Sequence, residues 1–156
     1  MKYYFVQQHD STDCAAACLA TVSLYYKKET TITKLRDMMG TDLKGTNMLG
    51  LLKCSEALGF KAQAVRVDRE NFLTRFTLPA IANVVTKEGM THFVVLFKIT
   101  KRYVILSDPA KGIVKMSLED FYKDFMGVLL ILVPDEGFVK DRTDGKSVIK
   151  RYINLI

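Results

Sequence analysis

Cys14 is the first residue of a predicted helix, in the stretch QQHDSTDCAAACLA, residues 7–20. Polar and charged side chains come directly before it, and small residues follow it. A thiol at a helix N-terminus faces unpaired backbone N–H groups and the positive end of the helix dipole, which favour the thiolate. Such a thiolate is a nucleophile where a histidine accepts its proton.

The chain has only two histidines that are candidates for this base. His9 precedes Cys14 in the same loop, which is a poor platform for holding an imidazole ring at a fixed distance from the thiol. His92 begins the predicted strand HFVVLFKI and therefore has a rigid platform. We predict that His92 is the base and that His9 lines the mouth of a cleft.

Asp108, in ILSDPA, ends the next predicted strand, RYVILSD. With a three-residue loop over 99–101, His92 and Asp108 lie directly opposite each other on one face of the hairpin. A two-residue loop shifts this register, and a β-bulge restores it. The sequence thus permits an imidazole oriented by a carboxylate, as in a catalytic triad.

Gln8, in the loop before Cys14, completes the set of candidate catalytic residues. Its amide is suited to donate a hydrogen bond to a developing oxyanion, alongside the backbone N–H of Cys14. Three classes of function remain open on these residues. They are a cysteine endopeptidase, another acyl-transfer enzyme such as a thioesterase or a transglutaminase-like protein, and a module that holds a peptide without cutting it.

The other two cysteines are predicted to be structural. Cys18 lies one helical turn after Cys14, and Cys54 shares a helix face with leucines. A zinc site needs two further ligands near such a pair, and the sequence has no clustered histidine or cysteine to supply them. A glycine-rich phosphate loop is also missing from the sequence, so we predict neither a metal nor a cofactor.

The elements that must position these residues are helical first and extended afterwards. Three helices are predicted, over CAAACLATVSLYYKK with one buried face, TITKLRDMMG, and MLGLLKCSEALGF. The candidate N-caps are Ser11, Thr12 or Asp13 for the first helix and Thr46 or Asn47 for the third.

The remaining elements are mainly strands, predicted at KAQAVRV, LPAIANVV, HFVVLFKI, RYVILSD, GIVKMSL and GVLLILVP, with short helices at DRENFLTRF and EDFYKDF. Helices followed by an antiparallel sheet predict an α+β fold.

Composition limits the functional classes further. The chain is 49% hydrophobic and 26% charged, which is typical of one soluble globular domain. Three dispersed cysteines and no secretory signal favour the cytoplasm. The net charge of +6 fits solubility, an acidic partner or an anionic membrane surface. A nucleic-acid partner is not expected, because the basic residues are dispersed without an aromatic-basic motif.

Four segments together resemble the peptidase C39 family, the papain-like cysteine protease domains at the N-termini of peptidase-containing bacterial ABC transporters. They are Gln8, the pair Asp13-Cys14 with its alanine-rich helix, THFVV with His92, and SDPA with Asp108. The resemblance spans residues 1 to about 135 and includes KGTNMLGLLKCSEALGF.

The resemblance implies a papain-like fold with N-terminal helices packed on the C-terminal sheet. It implies removal of the leader from bacteriocin, lanthipeptide or pheromone precursors by cleavage after a double-glycine-type motif, followed by export. The implied roles are Cys14 nucleophile, His92 base, Asp108 orienter and Gln8 oxyanion donor. Degenerate domains of the family lack the cysteine, and this chain keeps it, so we expect an active enzyme.

The substrate-binding expectations also follow from this resemblance. A passage too narrow for a Cβ is expected between the Gln8–Cys14 loop, including Asp13, and the segment Met90-Thr91. A groove for a helical leader is expected at the third helix, with Met48 in it. The net charge of +6 suits an acidic leader.

The C-terminal stretch KDRTDGKSVIKRYINLI, residues 140–156, is basic and turns apolar. Segments that flank the cytoplasmic end of a membrane helix have this pattern. We therefore expect a peptidase domain over 1–136 and a linker over 137–156, leading to the membrane and ATP-binding domains of a transporter. The domain is then placed at the cytoplasmic face of the bacterial cell membrane. A free-standing protease with a plain tail is the alternative.

Overall fold

Helices come first and an antiparallel sheet follows, in a computed structural model that describes residues 2–40, 46–73, 75–136 and 138. The helices are α1 (Cys14–Tyr25), α2 (Ile32–Met39), α3 (Met48–Ala57) and α4 (Leu118–Asp124). The strands are β1 (Phe60–Arg66), β2 (Ala80–Val85), β3 (Thr91–Ile99), β4 (Tyr103–Asp108), β5 (Gly112–Ser117) and β6 (Phe125–Pro134). The sheet order is β1-β6-β2-β3-β4-β5, and each pair is antiparallel, which confirms the predicted α+β class.

Helix α1 is buried on every side rather than on the one face that its periodicity predicts. Each residue from Cys14 to Leu24 is buried, the polar Thr21 and Ser23 included. The helix packs mainly against β3, and α2 and α3 cover its other sides. Its small side chains, Ala15, Ala16 and Ala17, allow this close approach from several directions. The N-terminus of α1 is therefore fixed relative to β3.

The next two helices lie close to their predicted bounds, and the cap of the third is one of its two predicted candidates. The Thr31 side chain accepts from the Lys34 N–H and caps α2, which ends at Gly40 with φ +63°. The Asn47 side chain accepts from the Gly50 N–H and caps α3. Local sequence signals therefore determine where both helices begin, and α2 and α3 both lie against α1.

Strand β3 lies between two hydrophobic cores. Phe93, Val95 and Phe97 belong to the core beneath α1, α2 and α3. Val94 and Leu96 belong to a second core on the opposite face, with Phe72, Leu118 and Phe121. A strand that is covered on both faces reads as a continuous apolar run, which explains the sequence HFVVLFKI.

The predicted helix over DRENFLTRF is wrong, because its described residues include no helix and residues 69–73 form turns. Asp68 Oδ1 accepts from the Asn71 N–H at 2.9 Å, as an N-cap does, but the helix does not continue. Instead Phe72 enters the second core, where its ring lies 6.1 Å from Phe76 and 5.3 Å from Phe121. Burial of these rings overrides the local helical signal.

The β3–β4 hairpin has a register that differs from direct opposition of His92 and Asp108. A three-residue loop, 100–102, joins the strands, and a bulge lies between Leu96 and Lys98. Beyond the bulge Val95 pairs with Ser107, so Asp108 is level with Val94. His92 and Asp108 are thus diagonal neighbours on one face, a separation that long side chains bridge.

The predicted linker, residues 137–156, lies outside the described residues except for Phe138. The ring of Phe138 lies 4.7 Å from that of Phe60. Lys44 and Gly45, part of the stretch on which the family resemblance rests, also lie outside them. Across the described part of the chain, none of the helices has the length and apolarity to span a membrane.

Phe72→Ala should lower the free energy of unfolding by about 3–5 kcal/mol, because it removes a buried ring from the aromatic cluster of the second core. Phe72 is 0% exposed, whereas its neighbour Leu73 is 46% exposed. Leu73→Ala is therefore the control and should change this free energy by no more than about 0.5 kcal/mol. Urea denaturation measures both values. Equal effects of the two substitutions would contradict the role given to Phe72.

Candidate active site

The loop that precedes α1 is attached to both layers of the fold. The Val6 N–H donates to Thr21 Oγ1 of α1 at 3.2 Å. The Gln8 N–H donates to the Pro109 carbonyl, just after β4, at 2.9 Å. The residues between these contacts and Cys14 therefore bridge the helix that carries the thiol and the strand that carries Asp108.

Asp13, one of the three predicted candidates, is the N-cap residue of α1 but makes no side-chain cap hydrogen bond. Asp10 instead caps the 3₁₀ turn that precedes α1. Its Oδ1 accepts from the Thr12 N–H at 2.8 Å, and its own N–H donates to Asp13 Oδ2 at 3.3 Å. These reciprocal bonds form a capping box around the 3₁₀ turn Ser11–Asp13. In the sequence, the signal for this capping box was the pair of aspartates three residues apart, Asp10 and Asp13.

His92 and Asp108 meet at the edge of the sheet where β3 begins and β4 ends. His92 Nε2 lies 2.8 Å from Asp108 Oδ1, and the two side chains are only 12% and 13% exposed. The same Oδ1 accepts from the Ala110 N–H at 2.9 Å, within the turn after β4. Because the carboxylate accepts from Nε2, Nδ1 is the ring nitrogen that remains for Cys14.

Burial disfavours the charged forms of His92 and Asp108, whereas hydrogen bonds favour them. Burial opposes protonation of His92 most strongly, but hydrogen bonds to Asp108 and Cys14, with the negative charge of each, raise the pKa of His92 to about 9. Burial also acts to raise the pKa of Asp108, but hydrogen bonds from His92 and Ala110 and nearby positive charges lower it overall. The site thus favours a protonated imidazole ring beside the ionised Asp108 carboxylate.

Cys14 is 6% exposed at the start of α1, and it lies close enough to the His92 ring to raise the pKa of that imidazole. Burial raises the pKa of the Cys18 thiol well above its ordinary value, and the charges of Cys14 and Asp108 add to this. Burial also raises the pKa of Cys54, to about 11. Both groups are therefore neutral thiols at physiological pH, which agrees with their predicted structural role.

A cleft of about 440 Å³ opens beside His92 and Asp108 on the sheet face opposite α1. Its apolar lining comes from β2, β3, β4, β5 and α4: Val84, Val94, Leu106, Met116 and Phe121. Gln8 and Ser11 of the N-terminal loop form part of its wall, and Gln8 Oε1 is buried with no hydrogen-bond partner among the described residues. The apolar wall was not among the sequence-based predictions, although the alternation in GIVKMSL was a signal for it.

The predicted substrate-binding residues divide between this cleft and other surfaces. Met90 and Thr91 line the cleft, next to His92, and Met90 is 57% exposed. His9 is exposed on the loop between Gln8 and Ser11, but it does not line the cleft itself. The Met90-Thr91 segment and the Gln8 loop therefore contribute to the same cleft.

Two of the predicted substrate contacts are elsewhere. Asp13 is fully buried, with its carboxylate bound by the Asp10 N–H and ion-paired to Arg36, so it supports the loop and cannot touch a peptide. Met48 packs against the core beneath the helices and does not line the cleft. The cleft is lined by strands, by α4 and by the N-terminal loop, and the groove expected at the third helix stays a prediction.

The peptidase C39 family matches this chain over residues 2–137. The lactococcin-G-processing and transport ATP-binding protein LagD of Lactococcus lactis is 35% identical over 151 residues, 96% of this chain and 20% of LagD. The transport/processing ATP-binding protein ComA of Streptococcus pneumoniae is 30% identical, over 99% of this chain and 22% of ComA. The chain thus spans about a fifth of the length of these relatives.

Solved structures with the same fold are also similar in sequence. The peptidase domain of Streptococcus ComA, described as a bifunctional ABC transporter of a quorum-sensing pathway, superposes with a TM-score of 0.81 at 29% identity, covering 86% of this chain and all of that one. A double glycine motif protease from an AMS/PCAT transporter, in complex with the leader peptide, has a TM-score of 0.78 at 34% identity, covering 85% of this chain and 92% of that one.

Asp108→Asn should move the alkaline limb of the kcat/KM profile to lower pH. An asparagine oxygen still accepts from Nε2, but it lacks the negative charge that helps to raise the pKa of His92 to about 9. At neutral pH the variant should lose less activity than Cys14→Ala or His92→Ala. The measurement is kcat/KM against pH with a double-glycine precursor peptide.

The control is Asp120→Asn, which removes a carboxylate that is 65% exposed on α4 and should leave the limb in place. The free energy of unfolding should also depend on pH through His92. Because the pKa of folded His92 exceeds its ordinary 6.5, its ion pair stabilises the fold below that pH, and the contribution is lost as pH rises through about 9. An unmoved alkaline limb in Asp108→Asn would argue against the carboxylate as the orienting group.

Proposed function

The chain belongs to the peptidase C39 family of cysteine peptidases, and on that premise we propose that it removes leaders from precursor peptides by cutting after a double-glycine-type motif. The observation that carries the proposal is the 2.8 Å contact between His92 Nε2 and Asp108 Oδ1, on an imidazole whose pKa the neighbouring Cys14 also helps to raise. The relatives named as processing and transport proteins support the same class of substrate.

In the proposed reaction Cys14 is the nucleophile and His92 moves the proton. The thiolate attacks the carbonyl carbon of the scissile bond, and the His92 imidazolium gives its proton to the leaving amine. The resulting thioester is hydrolysed by water, from which His92 takes a proton. Asp108 holds the ring with Nδ1 toward the sulfur and stabilises its positive charge.

The oxyanion in this reaction is stabilised by the Gln8 amide and the backbone N–H of Cys14. Gln8 lines the cleft, and its backbone N–H is tied to Pro109 at 2.9 Å, so its position is coupled to that of Asp108. Donors that are fixed before the reaction cost no reorganisation when the negative charge develops. The Gln8 side chain therefore acts on the transition state more than on binding of the precursor.

Leader recognition is assigned to the apolar cleft. Its floor accommodates apolar side chains spaced i, i+3, i+4 on a helical leader, and full burial of each contributes roughly 1.5–3 kcal/mol. Two glycines at the cut pass between the Gln8 loop and Met90-Thr91, where a Cβ is excluded. Lys87 and Lys111 line the cleft together with Glu88 and Asp124, so an acidic leader fits the net charge of +6 of the chain rather than a charge of the cleft itself.

The relatives named as transport ATP-binding proteins support the proposed partners, which are the other domains of a transporter. We place the domain at the cytoplasmic face of the bacterial cell membrane, joined to the membrane and ATP-binding domains of a transporter. Cleavage there releases the peptide on the side from which export begins, so that processing and transport act on the same molecule.

Incubation with a double-glycine precursor followed by mass spectrometry tests this function. The native chain should give one cut, after the second glycine, and Cys14→Ala should give none while it still binds the precursor. Cys18→Ala is the matched control on the same helix and should remain active, because burial keeps its thiol neutral. A precursor with valine in place of the last glycine should bind but resist cleavage.

Each other outcome points to a different class. Binding without any cut indicates a module that holds the leader, and hydrolysis of thioesters but not of the precursor indicates another acyl-transfer enzyme. Cleavage by Cys14→Ala at the native rate would remove the thiol from the mechanism.

Gln8→Ala should lower kcat by about 10²–10³-fold, because one oxyanion donor is lost, with little change in KM. Gln7→Ala is the control, since Gln7 is the exposed neighbour of Gln8 and does not line the cleft. Steady-state kinetics with the precursor give both constants. A raised KM with the native kcat would show that Gln8 binds the substrate and does not stabilise the oxyanion.

A further inference from the structure

Asp13 is a buried carboxylate that no step of the proposed reaction uses. It is 0% exposed and directly precedes Cys14 in the chain. Removing an ionised carboxylate from water is unfavourable unless hydrogen bonds and an opposite charge compensate it. The groups that compensate Asp13 therefore act one residue from the nucleophile.

One oxygen of this carboxylate has a hydrogen bond and the other has only a charge partner. Oδ2 accepts from the Asp10 N–H at 3.3 Å, within the capping box. Oδ1 accepts no hydrogen bond from any residue that the structure describes, and it lies 3.5 Å from Nε of Arg36. Arg36 projects from the last turn of α2, with 39% of its side chain exposed. A guanidinium on a different helix thus neutralises the carboxylate beside Cys14.

We propose that Arg36 is a positioning residue for Cys14 and acts through Asp13. The ion pair ties α2 to the capping box, and the box fixes the turn from which Cys14 and its backbone N–H project. Because it concerns the same thiol, this inference rests on the proposed function.

Two effects should follow when the guanidinium is absent. The loop loses its attachment to α2, and a misplacement of about 1 Å in a reacting group costs on the order of 10²-fold in rate. The Asp13 carboxylate also remains uncompensated beside Cys14, and a nearby like charge disfavours both the thiolate and the oxyanion. Neither effect acts on the apolar cleft, so binding of the precursor should be retained.

The test compares Arg36→Ala with Lys34→Ala, which removes the same charge from an exposed position on the same helix. Steady-state kinetics with the precursor give kcat and KM, and peptide mapping after iodoacetamide gives the rate of Cys14 alkylation. Arg36→Ala should lower kcat by about 10–100-fold with KM within about twofold, and it should slow alkylation. Lys34→Ala should match the native chain in all three measurements.

A further substitution, at the carboxylate itself, separates the effect of its charge from the effect of a loosened loop. In the double variant Asp13→Asn with Arg36→Ala, residue 13 carries no charge, so alkylation of Cys14 should be faster than in Arg36→Ala alone. A merely structural role for Arg36 predicts no such recovery, and its absence would overturn the charge argument.

Native kcat and alkylation in Arg36→Ala, or a change in KM alone, would overturn the inference, as would an equal loss in Lys34→Ala. If Arg36→Ala exposes the buried Cys18 or Cys54 to alkylation, its fold has opened. Arg36→Gln, which keeps the side-chain stem and removes the charge, then decides, and native kcat in it overturns the inference. Failure of the proposed function is distinct, because the native chain would then leave the precursor uncut while Cys14 alkylation still reports on Arg36.

Discussion

The constraint on which the site depends is the fixed position of α1 against β3. The thiol belongs to a helix, the imidazole to the start of one strand and the carboxylate to the end of another, so no local segment can bring them together. Burial of α1 on all sides supplies the missing rigidity, since small side chains let the sheet and two further helices approach it closely. A helix with one exposed face would leave its N-terminus freer to shift relative to His92.

The two hydrophobic cores divide this work between them. The core beneath the helices places Cys14, whereas the core on the opposite face shapes the cleft through Leu106, Met116 and Phe121. Strand β3 belongs to both cores, and His92, its second residue, lines the cleft. The N-terminal loop then spans the boundary, bound to α1 at Thr21 and to the turn after β4 at Pro109. Chemistry and recognition thus share one strand and one loop.

The sequence predicted what depends on periodicity and local capping, and it failed where tertiary packing decides. The approximate bounds of α2 and α3 followed from periodicity, Asn47 was one of two candidate caps, and the α+β order followed from the change of period. The helix predicted at DRENFLTRF did not form, because burial of Phe72 outweighs the cap at Asp68. The diagonal approach of His92 to Asp108 depends on a bulge, which no residue type signals. The placement of Asp13 away from the cleft required knowing that Arg36 lies opposite it.

The double use of the Asp108 carboxylate bears on how a domain of this kind can lose its activity over evolutionary time. One oxygen both accepts from His92 and closes the turn after β4 through the Ala110 N–H. Replacing Asp108 therefore disturbs a hairpin end as well as the proton relay. Cys14 instead sits at the head of a helix whose next three residues are alanines, and a small residue in its place removes little more than a sulfur atom. Loss of Cys14 should therefore cost less fold stability than loss of Asp108. The fold itself thus favours inactive homologues that lack the nucleophile but still bind peptides.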